Sequence, residues 1–191
     1  MDMNIMNPAN FWQGKIVCLR AIEPDDAELF YRWNLDSERA RYLDFVWPPT
    51  SMESVRTWVH EQTRKKLVND SYHWVIQNMS GEAVGSISTH DCDPHNGTFS
   101  YGVDIVQEHR GNGYAGEAIR IVLKYYFREL RYQKATIPVH ADNPASIRLH
   151  EKLNFKLEGR LRRMVYTQGD YVDVLWFGMT AEEYQQYYYG I

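Results

Sequence analysis

The stretch Arg110-Gly111-Asn112-Gly113-Tyr114-Ala115-Gly116 constrains this chain more than any other. It joins a strand-like run, Thr98 to Val106, to a strongly periodic helix, Ala115 to Leu130. Three glycines in seven residues let a backbone approach a ligand closely, because no Cβ atoms intervene. The helix that follows directs its free N–H groups and the positive end of its dipole into that loop. Strand, glycine loop and helix start together make an anion site, and the usual anion is a phosphate.

Gly111-x-Gly113-x-x-Gly116 matches the dinucleotide-binding fingerprint literally. In that fold the first glycine follows its strand tightly, and a carboxylate about 20 residues on binds the ribose. Here the polar stretch Gln107-Glu108-His109-Arg110 separates the strand from Gly111. Counting about 20 residues on from Gly116 reaches Thr136 and Ile137, with no acid from there until Asp142. The remaining chain offers one further helix and a hairpin rather than a second βαβ half. A dinucleotide site is the weaker reading.

The arginine opens another. Arg110-x-x-Gly113-x-Ala115, after Tyr101-Gly-Val-Asp-Ile-Val106, resembles the acyl-CoA loop of the GNAT N-acetyltransferase superfamily. About thirty residues downstream, Lys134 to Ala141 reads as a strand and Asn143 to Phe155 as a helix with both ends marked. Asn143 is a good N-cap, Pro144 suits the first helical position, and Asn154 suits a left-handed stop. The same segment, N-P-A-S-I-R-L-H-E-K-L-N-F followed by Glu158-Gly159, is similar to the second GNAT motif. Leu19 to Asp26 is similar to the family's first strand and helix start, so the resemblance covers nearly the whole chain.

A chain of 191 residues suits one domain, residues 1–191, with a sizeable core. A formal charge of −4 argues against a general nucleic-acid binder. No apolar run reaches membrane length, and the N-terminus lacks an apolar signal core. Two cysteines, Cys18 and Cys92, make no disulfide framework, so a reduced cytoplasmic protein is the default.

The patterning gives an α+β fold. Lys15 to Ala21 alternates as a strand, and Pro24 opens a helix with Ala27, Phe30 and Trp33 on one face. Trp47-Pro48-Pro49 breaks the chain, and Thr50-x-x-Glu53 reads as a capping box for a second helix. His73–Asn78 and Ala83–Thr89 pair through Ser80-Gly81, and Asn96-Gly97 turns into the Thr98 strand. Leu157–Tyr166 and Tyr171–Met179 form a closing hairpin. The expected architecture is a mixed, mostly antiparallel central sheet flanked by helices, with one central βαβ crossover forming the acyl-CoA site, as the family has. Pro138, inside a strand, marks an edge or irregular position. In GNAT proteins this strand splays from its parallel neighbour.

His90-Asp91-Cys92-Asp93-Pro94-His95 holds ligand-type residues without the spaced pairs that converge on a metal, so no metal site is assigned. Turn chemistry accounts for Asp93-Pro94 and Asn96-Gly97.

The resemblance implies acetyl-CoA as donor and a primary amine as acceptor, either a protein N-terminus or a small amine such as a polyamine or aminoglycoside. It places the pyrophosphate on the backbone of Gly111, Asn112, Gly113, Tyr114, Ala115 and Gly116, with Arg110 contacting phosphate or ordering the loop. Backbone near Ile105 and Val106 aligns the thioester and provides the oxyanion hole, and Asn143 meets the pantetheine. Many family members carry tyrosine as general acid where this chain has His150. Imidazolium could serve there, although the residue reads somewhat better as an ordinary helix histidine. Ser146, one turn earlier, matches a serine of the RimJ/RimL-like ribosomal-protein alanine acetyltransferase branch and is favoured over His150. That branch also shows a hairpin echoed by Gly169-Asp170-Tyr171-Val172-Asp173-Val174. Asp104, Asp91 and Glu53 stand as candidate bases, none of them required. A non-catalytic acyl-CoA-binding module is the competing function. A homodimer is compatible with the resemblance and nothing in the residues supports it.

Overall fold

The computed structural model describes residues 10–43, 45–65 and 69–190. Residues 1–9, on which the expectation of no apolar signal core rests in part, lie outside them. The strands order as β1-β2-β3-β4-β5-β7-β6 in one seven-stranded sheet. They are β1 (Val17–Arg20), β2 (His73–Asn78), β3 (Ala83–Asp93), β4 (Thr98–Ile105), β5 (Lys134–His140), β6 (Lys156–Thr167) and β7 (Asp170–Thr180). The helices are α1 (Ala27–Trp33), α2 (Ser37–Leu43), α3 (Met52–Arg64), α4 (Tyr114–Arg128), α5 (Pro144–Lys152) and α6 (Ala181–Tyr189). The chain divides into two compact units, Met1–Ser88 with Gly102–Val122, and Thr89–Tyr101 with Leu123–Ile191.

In the first unit β1 and β2 pair antiparallel from Val17↔Asn78 to Arg20↔Val75. The turn Pro24–Asp26 leads into α1, which buries Ala27, Phe30 and Trp33, as the spacing of those residues requires. Phe30 meets Trp33 and Trp58 edge to face at 5.3 and 4.9 Å, beside Val55, Val59 and Val75. The expected capping box at Thr50 is corrected. Ser51 caps α3, its hydroxyl accepting from the Ser54 N–H at 3.1 Å. Serine at that position bonds the third helical amide unaided, so Glu53 is left facing Arg56 at 3.7 Å.

In the second unit β5 runs parallel to β4, pairing Thr98↔Lys134 and Phe99↔Ala135, and antiparallel to β7 along its whole length. Pro138 lies opposite Trp176 of β7, downstream of those two parallel pairs, where its missing N–H removes no bond to β4. Ser100 Oγ donates to the Thr136 carbonyl at 2.5 Å where the parallel pairs end. Phe99 stacks on Tyr126 at 4.0 Å, and the Tyr126 hydroxyl donates to Thr89 Oγ1 at 2.6 Å. The β6–β7 hairpin turns at Gln168 and Gly169, both with positive φ, as a two-residue turn matched to strand twist requires.

Two helices, α2 and α6, fall outside the sequence expectation. The signal for α6 was present: Thr180-x-x-Glu183 is a reciprocal capping box, with Thr180 N–H on Glu183 Oε2 at 2.9 Å. No helix of the described residues is long and apolar enough to cross a membrane.

Candidate functional site

The glycine loop belongs wholly to the first unit. A single 3₁₀ turn, Gln107–His109, follows β4 and brings the chain to Arg110. The Arg110 Nε–H donates to the Ile105 carbonyl at 3.0 Å, so this side chain ties the loop to the end of its strand. Asn112 Nδ2–H donates to the His109 carbonyl at 3.0 Å and closes the loop from the other side. Gly111 and Gly113 take φ of +84° and +81°, a region that costs any L-residue with a Cβ. The Glu117 N–H bonds the Gly113 carbonyl at 3.2 Å, which makes Gly113 the cap of α4. The amides of Tyr114, Ala115 and Gly116 then have no intrahelical partner and face out of the helix end. Left-handed glycines next to a run of outward amides are the kind of backbone from which anion-binding concavities are built.

Ile105 and Val106 are more committed than the sequence implies. The Val106 N–H donates to the Val84 carbonyl at 3.0 Å, and the Val106 carbonyl accepts from His109 N–H at 3.0 Å. With Arg110 on the Ile105 carbonyl, these groups shape the strand end. The Val106 N–H is not free to receive an oxyanion.

Of the candidate bases, Asp104 is corrected most clearly. Its buried carboxylate is paired with the Arg39 guanidinium, which also donates to the Trp33 carbonyl at 3.2 Å. Burial pushes the Asp104 carboxyl up, with Arg39 pulling against it. Arg39 lies 65 residues away on α2, a pairing that no local pattern announces. Asp91 is exposed and faces His90 Nδ1 at 2.9 Å, and Glu53 is exposed on α3. Asp93 accepts from the amides of His95 and Asn96 at 2.9 and 3.0 Å, the turn role its sequence context implies.

In the second unit Asn143 caps α5, its Oδ1 accepting from the Ser146 N–H at 3.0 Å. Ser146 and His150 come together one turn apart, Oγ to Nδ1 at 3.4 Å. The His150 Nδ1–H donates to the Ser146 carbonyl at 2.8 Å. The ring is 2% exposed, between Tyr101 and Phe177, and its buried Nε2 has no hydrogen-bond partner among the described residues. Burial pushes the His150 pKa down. An imidazolium acid at 150 does not fit this setting. The neutral ring spends its one N–H on a main-chain carbonyl and keeps a lone pair at Nε2.

Residues 17–156 match the family model for the acetyltransferase (GNAT) domain. The chain is 42% identical over 175 residues to the SPbeta prophage-derived uncharacterized N-acetyltransferase YokL of Bacillus subtilis (strain 168), covering 92% of this chain and 96% of that one. Among solved structures it superposes on the spermidine N-acetyltransferase of Vibrio cholerae in complex with CoA and spermine. That match has a TM-score of 0.78 at 22% identity, over 88% and 97% of the two chains. RimL, a ribosomal L7/L12 alpha-N-protein acetyltransferase in complex with coenzyme A, matches with a TM-score of 0.77 at 22% identity, over 89% and 97%.

The chain belongs to the GNAT acetyltransferase family. It is an N-acetyltransferase that takes its acetyl group from acetyl-CoA and passes it to an amine.

Proposed function

We propose that this enzyme acetylates the α-amino group of a protein or peptide, with the Gly111–Gly116 amides holding the pyrophosphate of the donor. Acetyl-CoA, when bound, brings the acetyl group as an activated thioester. The observation that carries the donor half of the reading is the loop: positive φ at Gly111 and Gly113, then a helix whose first amides are unbonded within it. Arg110 serves as a brace rather than the main phosphate contact, because its Nε is already on Ile105.

The acceptor amine arrives neutral and attacks directly in a ternary complex. As the C–N bond forms and the C–S bond breaks, Ser146 Oγ–H is the proposed proton source for the departing sulfur. The proton that the amine nitrogen sheds passes to water, from which the serine is reprotonated. The Ser146 main chain is fixed by Asn143 and His150, while its hydroxyl approaches His150 Nδ1 at 3.4 Å. Asn143 keeps its amide Nδ2 for the pantetheine while Oδ1 caps the helix.

Two features support a peptide acceptor over a polyamine. The hairpin Gly169–Val174 echoes the RimJ/RimL-like branch. In the first unit Asp26 and Asp104 are each taken by an arginine, Arg20 at 2.7 Å and Arg39, and so do not offer free charge to a polycation. The Vibrio cholerae enzyme with bound spermine keeps the second acceptor class in the test. Thiol release from acetyl-CoA is to be measured with peptides beginning in Ala, Ser or Met, and with spermidine and an amino sugar. The proposal expects kcat/KM for a peptide at least about tenfold above spermidine. The reverse order would reassign the acceptor, and CoA binding with no thiol release from any amine would favour a non-catalytic module.

A further inference from the structure

We propose that Glu117 is a positioning residue for acyl-CoA binding, clamping the turn Gly14–Val17 onto the first turn of α4 so that Ile16 covers Gly113. The proposal rests on the reading of the Gly111–Gly116 loop as the pyrophosphate site.

Three successive backbone N–H groups converge on the one carboxylate. Lys15 donates to Oε1 at 2.9 Å, while Ile16 and Val17 donate to Oε2 at 2.6 and 2.9 Å. Bonds of this kind to an ionised acceptor are stronger than neutral ones. They join segments about a hundred residues apart in sequence. The turn is closed on itself by Gly14 N–H to the Val17 carbonyl at 2.8 Å and Leu19 N–H to the Trp12 carbonyl at 2.9 Å. It is therefore a preformed loop held at its tip.

Two independent features show what the clamp achieves. A Cβ on Gly14 would lie 2.6 Å from Glu117 Cδ, so the carboxylate occupies the space that any larger residue at 14 would need. On the far side of the turn, Ile16 is 37% exposed, and its Cδ1 lies 3.6 Å from where a Cβ on Gly113 would stand. An exposed isoleucine is thus held over the cap residue of the anion-binding helix. A carboxylate beside a phosphate site would repel the ligand if left bare. Three amide donors take up that charge here, while its place in the first turn still suits the helix dipole.

Glu117→Gln leaves one acceptor oxygen and turns an NH2 group toward an N–H. Gly14→Ala attacks the same clamp from the other side. CoA affinity by calorimetry, steady-state kinetics and thermal melting are to be measured for both. The expected result is a roughly tenfold rise in CoA Kd and in KM for acetyl-CoA, with kcat within about twofold, and partial rescue by Glu117→Asp. Should Glu117→Gln fail to fold, Ile16→Ala reads the cover directly, with weaker CoA binding at unchanged Tm. Unchanged Kd and KM in folded Glu117→Gln, or in Ile16→Ala, overturn the inference. Failure of the wild-type protein to bind CoA overturns instead the loop reading beneath it.

Discussion

The Nδ1–H of His150 is donated to the carbonyl oxygen of Ser146, 2.8 Å away and one turn earlier on α5. The imidazole is stacked between Tyr101 at 5.9 Å and Phe177 at 5.7 Å, with Phe155 edge-on at 5.2 Å. A ring so placed is a wall of the core whose proton is already spent. Under the proposed mechanism the proton for the departing sulfur then comes from the Ser146 hydroxyl, which the His150 bond to the Ser146 carbonyl leaves in place.

Ser146→Ala is therefore expected to lower kcat by about 10²-fold and leave KM for acetyl-CoA nearly unchanged, in the range for loss of a general acid. The cap survives the change, because Asn143 accepts from the Ser146 main-chain N–H rather than its hydroxyl. Steady-state rates with saturating amine check this, alongside an unchanged melting temperature.

His150→Ala should act on stability first. Removing a ring that is 2% exposed leaves a cavity and is expected to cost about 2–4 kcal/mol in denaturant unfolding. A kcat loss larger than that of Ser146→Ala at equal foldedness would return the acid role to His150.

Stability should fall on the acid side. His150 is pushed down by burial, and His73 is pushed down to about 4 by burial, with Lys65 and Arg39 adding to the effect. Each binds its proton more readily when unfolded, so unfolding takes up protons as pH drops. Their contribution is full above the ordinary histidine value of about 6.5 and is lost progressively below it, toward about 4 for His73. Urea titrations between about pH 8 and pH 5 should show this slope, and His73→Gln should flatten it.

The Arg39–Asp104 pair should behave as a buried ion pair broken on one side. Asp104→Ala is expected to cost about 3–5 kcal/mol, because it strands the guanidinium under α2. Urea midpoints at constant m-value measure it. An exposed catalytic aspartate would instead lose activity with little change in stability.

Gly113→Ala should combine strain with lost binding. At φ +81° a Cβ costs about 1–2 kcal/mol. Any shift that relieves it reorients the amides of Tyr114 and Ala115. CoA affinity by calorimetry should fall about tenfold or more, in a protein that still melts cooperatively.

Much of this was legible because local physics wrote it. Gly111 and Gly113 announce their conformations, Asn143-Pro144 announces a helix start, and Gln168-Gly169 announces a hairpin. The α1 face of Ala27, Phe30 and Trp33 follows from spacing alone. What stayed hidden is long-range. Arg39 gives no sign of Asp104, and Glu117 looks like any first-turn acid that favours a helix dipole. The burial of His150 depends on Tyr101 and Phe177, which arrive from other strands. Thr180-x-x-Glu183 is a local signal that marks the start of α6.

The most direct test of the central claim compares CoA with pantetheine, which lacks the pyrophosphate and nucleotide, by calorimetry on the wild-type protein. If the Gly111–Gly116 amides hold the pyrophosphate, CoA binds at one site per chain and pantetheine binds at least about a hundredfold more weakly. Equal affinity for the two ligands would contradict the assignment.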